Sequence, residues 1–321
     1  MEADLFMKKL FLIFGLCLGM SVIPLRAEEV ILGGDSIGIE VEYDGVMVSG
    51  FYELPKLKQD QLEVGDLIIS INGRKVSNIQ DLLAELTKEQ DKYSIQIMRE
   101  GEYIDTYLNT SIVDGQIKTG MFLKEKLLGI GTLTYIDDER YGALGHEITD
   151  TETNQMINAQ CGTIYHSMVT SIRKARPYSS GEKNAAILFD QPLGTITHTN
   201  HLGVYGRFMH EHPTQRIETA SYKDIQTTEA DFYTVLSGNN IESVRIRLLK
   251  VNPEQKQKQI EFKVIDEHCL AVSNGIVQGM SGSPIVQNGR LIGAVTHVSS
   301  QDPSVGYGIL IDEMLKLNAM S

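Results

Sequence analysis

The stretch Gly275–Val298, GIVQGMSGSPIVQNGRLIGAVTHV, constrains this chain more than any other part of it. It reads as an apolar strand, a tight turn carrying Ser281 between Gly279 and Gly282, a second strand, an Asn288-Gly289 turn of the primed hairpin type, and a third strand. The flanking glycines let the backbone turn sharply and let another main chain approach without meeting a side chain. In such a turn the amides of Gly279 and Ser281 are candidates to point together at developing negative charge.

The loop Gly-Met-Ser-Gly-Ser-Pro is similar to the Gly-Asp-Ser-Gly-Gly-Pro loop of chymotrypsin-like serine proteases, with Ser281 at the nucleophile position. A serine hydroxyl is a weak nucleophile at neutral pH, so that resemblance requires a base. His146, in Tyr141-Gly-Ala-Leu-Gly-His146, sits in a Gly-rich turn 135 residues before Ser281. The third member would be an acid that holds the imidazole tautomer. Chain order in this protease class, His then Asp then Ser, points to Asp266, at the end of an expected strand and fifteen residues before Ser281. Glu267, Asp150, Asp190 and Asp302 are the rivals, of which Asp302 reads more simply as a turn former.

Length and composition fit this picture. At 321 residues the chain is long enough for two domains, and 29 glycines among short Val, Ile, Leu and Tyr runs indicate a mostly β protein. A formal charge of −13 argues against nucleic acid as a partner. Cys161 and Cys269 are too few for a disulfide framework. His198, His201, His210 and His212 lack the carboxylate or cysteine companions of a zinc motif, so they are read as loop residues and no metal or organic cofactor is expected. The N-terminus, residues 1–27, carries Lys8-Lys9 and an apolar run from Leu10 to Ile23. That run is shorter than the roughly 20 residues of a spanning helix and suits a signal peptide cut after Ala27, or an uncleaved anchor that would associate with a membrane. Either way the body of the chain is expected to be exported.

Residues 31–113 form a first expected unit. Val64-Gly-Asp-Leu-Ile-Ile-Ser-Ile-Asn-Gly73 has a strand ending in an Asn-Gly turn, and Ser77 or Asn78 caps a helix whose Ile79, Leu82, Leu83 and Leu86 share a face. Strands follow at Tyr93–Met98 and Tyr103–Leu108. This unit resembles a PDZ domain. The resemblance implies an α+β fold that adds a peptide or protein C-terminus as a strand, with Ile37, Gly38 and Ile39 as the carboxylate-binding loop. Residues 117–320 form the second unit, with two short strands expected around Gly129 and Gly131 and a Gly-punctuated turn region at Gly194–Gly206.

Taken together, Gly142-Ala-Leu-Gly-His146, the Ser281 loop, Gly293-Ala-Val-Thr-His297 and Asp302-Pro-Ser-Val-Gly-Tyr-Gly308 resemble the stage IV sporulation protein B (SpoIVB) peptidases. The resemblance implies a PDZ domain followed by a chymotrypsin-like double β-barrel, and a serine endopeptidase with His146, Asp266 and Ser281 as triad and the Gly279 and Ser281 amides as oxyanion hole. It also implies export across the forespore membrane into the intermembrane space, and cleavage of a membrane-bound sporulation regulator and of the chain itself. The outcome would be intramembrane processing of a late sigma-factor precursor. His297 is assigned a structural role. The alternatives are a catalytically silent PDZ scaffold and a quality-control protease, the latter less consistent with a PDZ domain that comes first.

Overall fold

The computed structural model describes residues 28–319 apart from 56, 87–89, 151, 154, 158, 160 and 211–214. The expected N-terminal targeting segment and His212 lie outside the described residues. Among those described, no helix is long and apolar enough to cross a membrane.

The chain starts with β1 (Glu29–Leu32) and the long β2 (Ser36–Phe51). β3 (Leu67–Ile71), β4 (Arg74–Lys75), α1 (Ile79–Glu85), β5 (Lys92–Arg99), β6 (Glu102–Asn109) and the hairpin β7 (Ser111–Val113) and β8 (Gln116–Lys118) follow. Asn78 caps α1, its side chain accepting the Asp81 amide at 2.9 Å, and the Asn72-Gly73 turn has both residues at positive φ. β3 pairs with β2 on one side and β5 on the other, and β5 pairs with β6. Leu82 of α1 packs with Ile68, Ile71, Tyr93, Ile95 and Ile97 in a small core of its own.

Next come β9 (Met121–Asp137), β10 (Arg140–Leu144), β11 (Gly162–Arg173), β12 (Glu182–Asn200) and β13 (Gly203–Phe208). These five strands close with β2 into a six-stranded barrel in the order β9-β10-β13-β12-β11-β2, sealed by the β2–β9 pairing. Its core includes Ile37, Ile39, Tyr141, Ile164 and Val204. After β14 (Ile217–Glu218), which pairs with β1, the second barrel is built from β15 (Glu229–Val235), β16 (Ile241–Val251), β17 (Ile260–Val264), β18 (Pro284–Gln287), β19 (Arg290–Val298) and β20 (Val305–Leu310). They close in the order β15-β16-β17-β20-β19-β18 around Phe232, Ile246, Phe262, Ile285 and Val295. α2 (Glu267–Ser273) lies between β17 and the serine loop, and α3 (Ile311–Ala319) ends the chain. A fourth core joins the barrels, with Tyr135 and Leu202 from the first, Ala294 and Ile309 from the second, and Met314 of α3. The chain is thus mostly β and has the double-barrel form.

Three sequence expectations are corrected. Ile37, Gly38 and Ile39 are not a peptide-binding loop: they form a barrel strand paired with Gly129–Gly131 of β9 on one edge and Ile164–His166 of β11 on the other. With both edges bonded and Ile37 and Ile39 buried, no row of amides is left for a ligand strand. The stretch 194–206 is two paired strands, not a turn region, and 121–137 is one continuous strand. The small α+β unit is therefore an insertion between two strands of the first barrel, and its ends meet where the Tyr52 amide donates to the Gly120 carbonyl at 2.8 Å.

Candidate active site

His146 is carried by the turn that follows β10, where Leu144 and Gly145 both take positive φ. Its Nδ1 lies 2.6 Å from the carbonyl oxygen of Glu147. A carbonyl only accepts, so Nδ1 carries the proton and Nε2 is left as the basic nitrogen, the tautomer a general base needs. Burial pushes the imidazole pKa below its ordinary value, against a smaller opposing influence from Glu147. At neutral pH the ring is therefore neutral.

Ser281 comes from the other barrel, on a loop held by the first. Thr132 of β9 donates through Oγ1 to the Gly279 carbonyl at 2.8 Å and through its amide to the Ser281 carbonyl at 2.9 Å, and Thr134 Oγ1 donates to the Gly282 carbonyl at 2.8 Å. Gly279 and Gly282 both have φ of +92°, and a Cβ on Gly282 would stand 2.1 Å from the Thr132 carbonyl oxygen. Only glycine fits that seam. With the carbonyls of the loop turned onto Thr132 and Thr134, the Gly279 and Ser281 amides donate to no acceptor among the described residues.

His146, Ser281 and Gly279 line one cavity of about 410 Å³ between the barrels. The Ser281 hydroxyl donates to the Thr296 carbonyl at 3.2 Å, not to His146. Nucleophile–base hydrogen bonds commonly tighten only when substrate is bound. His297 stands beside the pair, its ring centroid 5.6 Å from that of His146 and its Nδ1 2.8 Å from Thr296 Oγ1. Burial, with help from His146 and Lys258, lowers its pKa to about 4, so it too is neutral.

The structure does not bring Asp266 to the imidazole, and this expectation is corrected. Asp266 is the N-cap of α2, its Oδ1 accepting the Cys269 amide at 2.9 Å, and no hydrogen bond or ion pair among the described residues joins it to His146. A residue read as a strand end is the first residue of a helix cap, and the helix claims its carboxylate. The rivals lie elsewhere. Asp150 accepts the amides of Glu152 and Thr153, the Tyr43 hydroxyl and the Lys124 ammonium. Burial alone would raise its pKa, yet these donors hold it down to about 2. Asp302 caps a turn through Ser304, while Glu267 and Asp190 are exposed. Cys161 and Cys269 are both free, and no metal-binding cluster occurs among the described residues.

Sequence reasoning missed Lys183. It is 2% exposed, lines the site cavity, and lies alongside Gly279. Its amide donates to the Gln278 carbonyl at 2.9 Å and its Nζ to Thr234 Oγ1 at 2.8 Å. Burial lowers the amine pKa to about 7, against a smaller opposing influence from Cys269. A lysine in Gly181-Glu-Lys183 reads as surface, and nothing local marks it otherwise. Thr132 and Thr134 were equally silent, since their role rests on a loop almost 150 residues downstream.

The family model for the SpoIVB peptidase S55 family matches residues 115–315. The chain belongs to that family. It is a serine peptidase, and the matched region runs from the end of the inserted unit to the last helix, taking in both His146 and Ser281. Among solved structures, the peptidase is similar to the inactive form of the Rv3671c protease of M. tuberculosis H37Rv at 14% identity, with a TM-score of 0.34, over 60% of this chain and 83% of that one. An inactive form of a serine-to-alanine mutant of the same protease matches at 13% identity and a TM-score of 0.32 over the same shares. No curated protein matches the peptidase.

Proposed function

We propose that Ser281 attacks a peptide carbonyl, that His146 takes its proton and returns it to the leaving amine, and that the Gly279 and Ser281 amides hold the oxyanion. The observation that carries this reading is the shared cavity. A neutral imidazole in the correct tautomer and a serine on a tight Gly-flanked loop line one space, with two amides beside them that lack acceptors among the described residues. The Glu147 carbonyl orients the ring in the position where an acid was expected. Membership of the SpoIVB peptidase family further supports a role in endospore formation. In that role the exported enzyme cuts a membrane-bound regulator, and itself, in the space between forespore and mother-cell membranes, and so triggers processing of a late sigma-factor precursor. The likeness of residues 62–108 to a PDZ domain supports a peptide-recognising task for the inserted unit.

The test is cleavage of the regulator ectodomain, and of the chain itself, by the purified protein beside its Ser281→Ala variant. Serine-dependent cuts are expected, with the variant at least 10³-fold slower. Undiminished cleavage by Ser281→Ala would remove Ser281 from the mechanism. Serine-dependent cleavage of unfolded proteins at many sites would replace the signalling role with quality control.

A further inference from the structure

The cavity holding His146 and Ser281 extends past them, and its far wall has no part in the chemistry above. Its volume, about 410 Å³, lies in the range of sites that enclose a small ligand. The wall is apolar: Ile39 and Val41 from β2, Leu127 and Leu128 from β9, Leu144 before the histidine and Ile148 after it. Glu147 and Glu182 stand among the polar residues that complete the lining. Thr296 and His297 do not line it, so the cavity lies on the first-barrel side of Ser281, away from the strand on which the Ser281 hydroxyl rests.

Which half of a substrate lies there follows from the proton transfer. The imidazole that accepts the serine proton must hand it to the leaving amine, so the chain that begins with that amine runs past His146. Residues 147–149, directly after the histidine, line the cavity on that course. We propose that the cavity is a subsite for the residue on the leaving side of the scissile bond, and that it selects a bulky apolar side chain there. This inference rests on the assignment of Ser281 and His146. An aliphatic residue removes its own surface and that of the wall from water, whereas an acidic one loses its hydration there and meets Glu147 and Glu182, while the Lys183 amine that shares the lining is engaged by Thr234. A single methylene in an apolar pocket changes relative rates by about 10-fold or more, so leucine and glycine should differ by at least that.

Partition of the acyl-enzyme reads this subsite directly. An activated ester acylates Ser281, and an added amino-acid amide then competes with water. Its amine nitrogen bonds to the acyl carbon while the bond to Ser281 Oγ breaks. His146 takes the amine proton and delivers it to Oγ, the leaving step in reverse. Leucinamide should capture the acyl group at least 10-fold better than glycinamide, with aspartamide poorest. Leu128 is 51% exposed, so Leu128→Lys should leave the fold intact while erasing the leucinamide advantage and raising aspartamide. Ile148→Ala, which enlarges the wall without charging it, should move the preference toward phenylalaninamide. Serine-dependent acylation with equal capture of leucinamide, glycinamide and aspartamide would overturn the subsite and leave the catalytic assignment standing. Acylation that fails altogether, or survives in Ser281→Ala, would overturn the assignment itself.

Discussion

The two barrels share a strand count and an architecture but are written differently in the chain. The second barrel is contiguous, its six strands running from Glu229 to Leu310 with only one short helix between them. The first is split, because β2 is parted from its partner β9 by the inserted unit. Loop closure across an insertion adds only about 0.6 kcal/mol for each doubling of its length, so a compact unit between paired strands is tolerated. The contiguous barrel presents the nucleophile, and the split one presents the base and holds the nucleophile loop in place.

That contrast places the most sensitive positions at the seam, and the largest effect is expected from Gly282→Val. Its Cβ would collide with the Thr132 carbonyl at a φ hostile to branched residues. A loss of about 4 kcal/mol in denaturant unfolding and a loss of activity of at least 10²-fold are expected. A folded, active Gly282→Val variant would show that the barrels are not locked at this loop.

Lys183→Met sharpens the comparison from the opposite sign, because this side chain belongs to the first barrel and hydrogen-bonds into the second through Thr234. With the folded pKa lowered to about 7 and the unfolded value near 10.4, the unfolded chain holds a proton that the folded chain lacks between those pH values. Stability contributed by this group therefore rises with pH across that window and is least at and below about pH 7. Methionine should stabilise the protein by about 2 kcal/mol at pH 7, after the lost bond to Thr234 is subtracted, and should flatten the slope of stability between about pH 7 and 10. An unchanged slope would show that the amine is solvated.

Asp266→Ala tests the cap of the short helix inside the contiguous barrel. Removal of the cap on α2 should cost about 1 kcal/mol in thermal or denaturant unfolding. The same variant also reports on the imidazole, since a loss of activity near 10⁴-fold would place Asp266 against His146 in the working enzyme. The smallest effect concerns pH. Because partial burial holds the His146 pKa below its usual 6.5, the acid limb of kcat/KM should fall below about pH 6.5, while stability declines as acid protonates the unfolded imidazole first. An acid limb above pH 7 would contradict the burial of that ring.

The same contrast explains what was legible in the sequence. The Asn288-Gly289 turn and the Asn78-capped helix are local devices whose residues determine their own conformation, and the glycines around Ser281 mark its turn locally although Thr132 and Thr134 hold it in place. The Gly279 turn and the His146 turn were readable for that reason. Barrel one was not, because Ile37–Ile39 acquire their neighbours from residues 129–131 and 164–166, and an exposed loop and a two-sided barrel strand share the same few letters. Gly194, Gly203 and Gly206 look like turn punctuation, yet Gly194 and Gly206 sit within paired strands and Gly203 opens one. The fate of Asp266 turned on a seven-residue helix too short to announce itself by periodicity.

β9 is a single strand from Met121, in the core of the inserted unit, to Asp137, and on its way it passes Thr132, which grips the carbonyls of Gly279 and Ser281. From Lys124 to Thr132 is about 26 Å of extended chain at roughly 3.3 Å per residue. One unbroken strand, hydrogen-bonded along most of its course, is thus shared by the inserted unit, the first barrel and the grip on the serine loop.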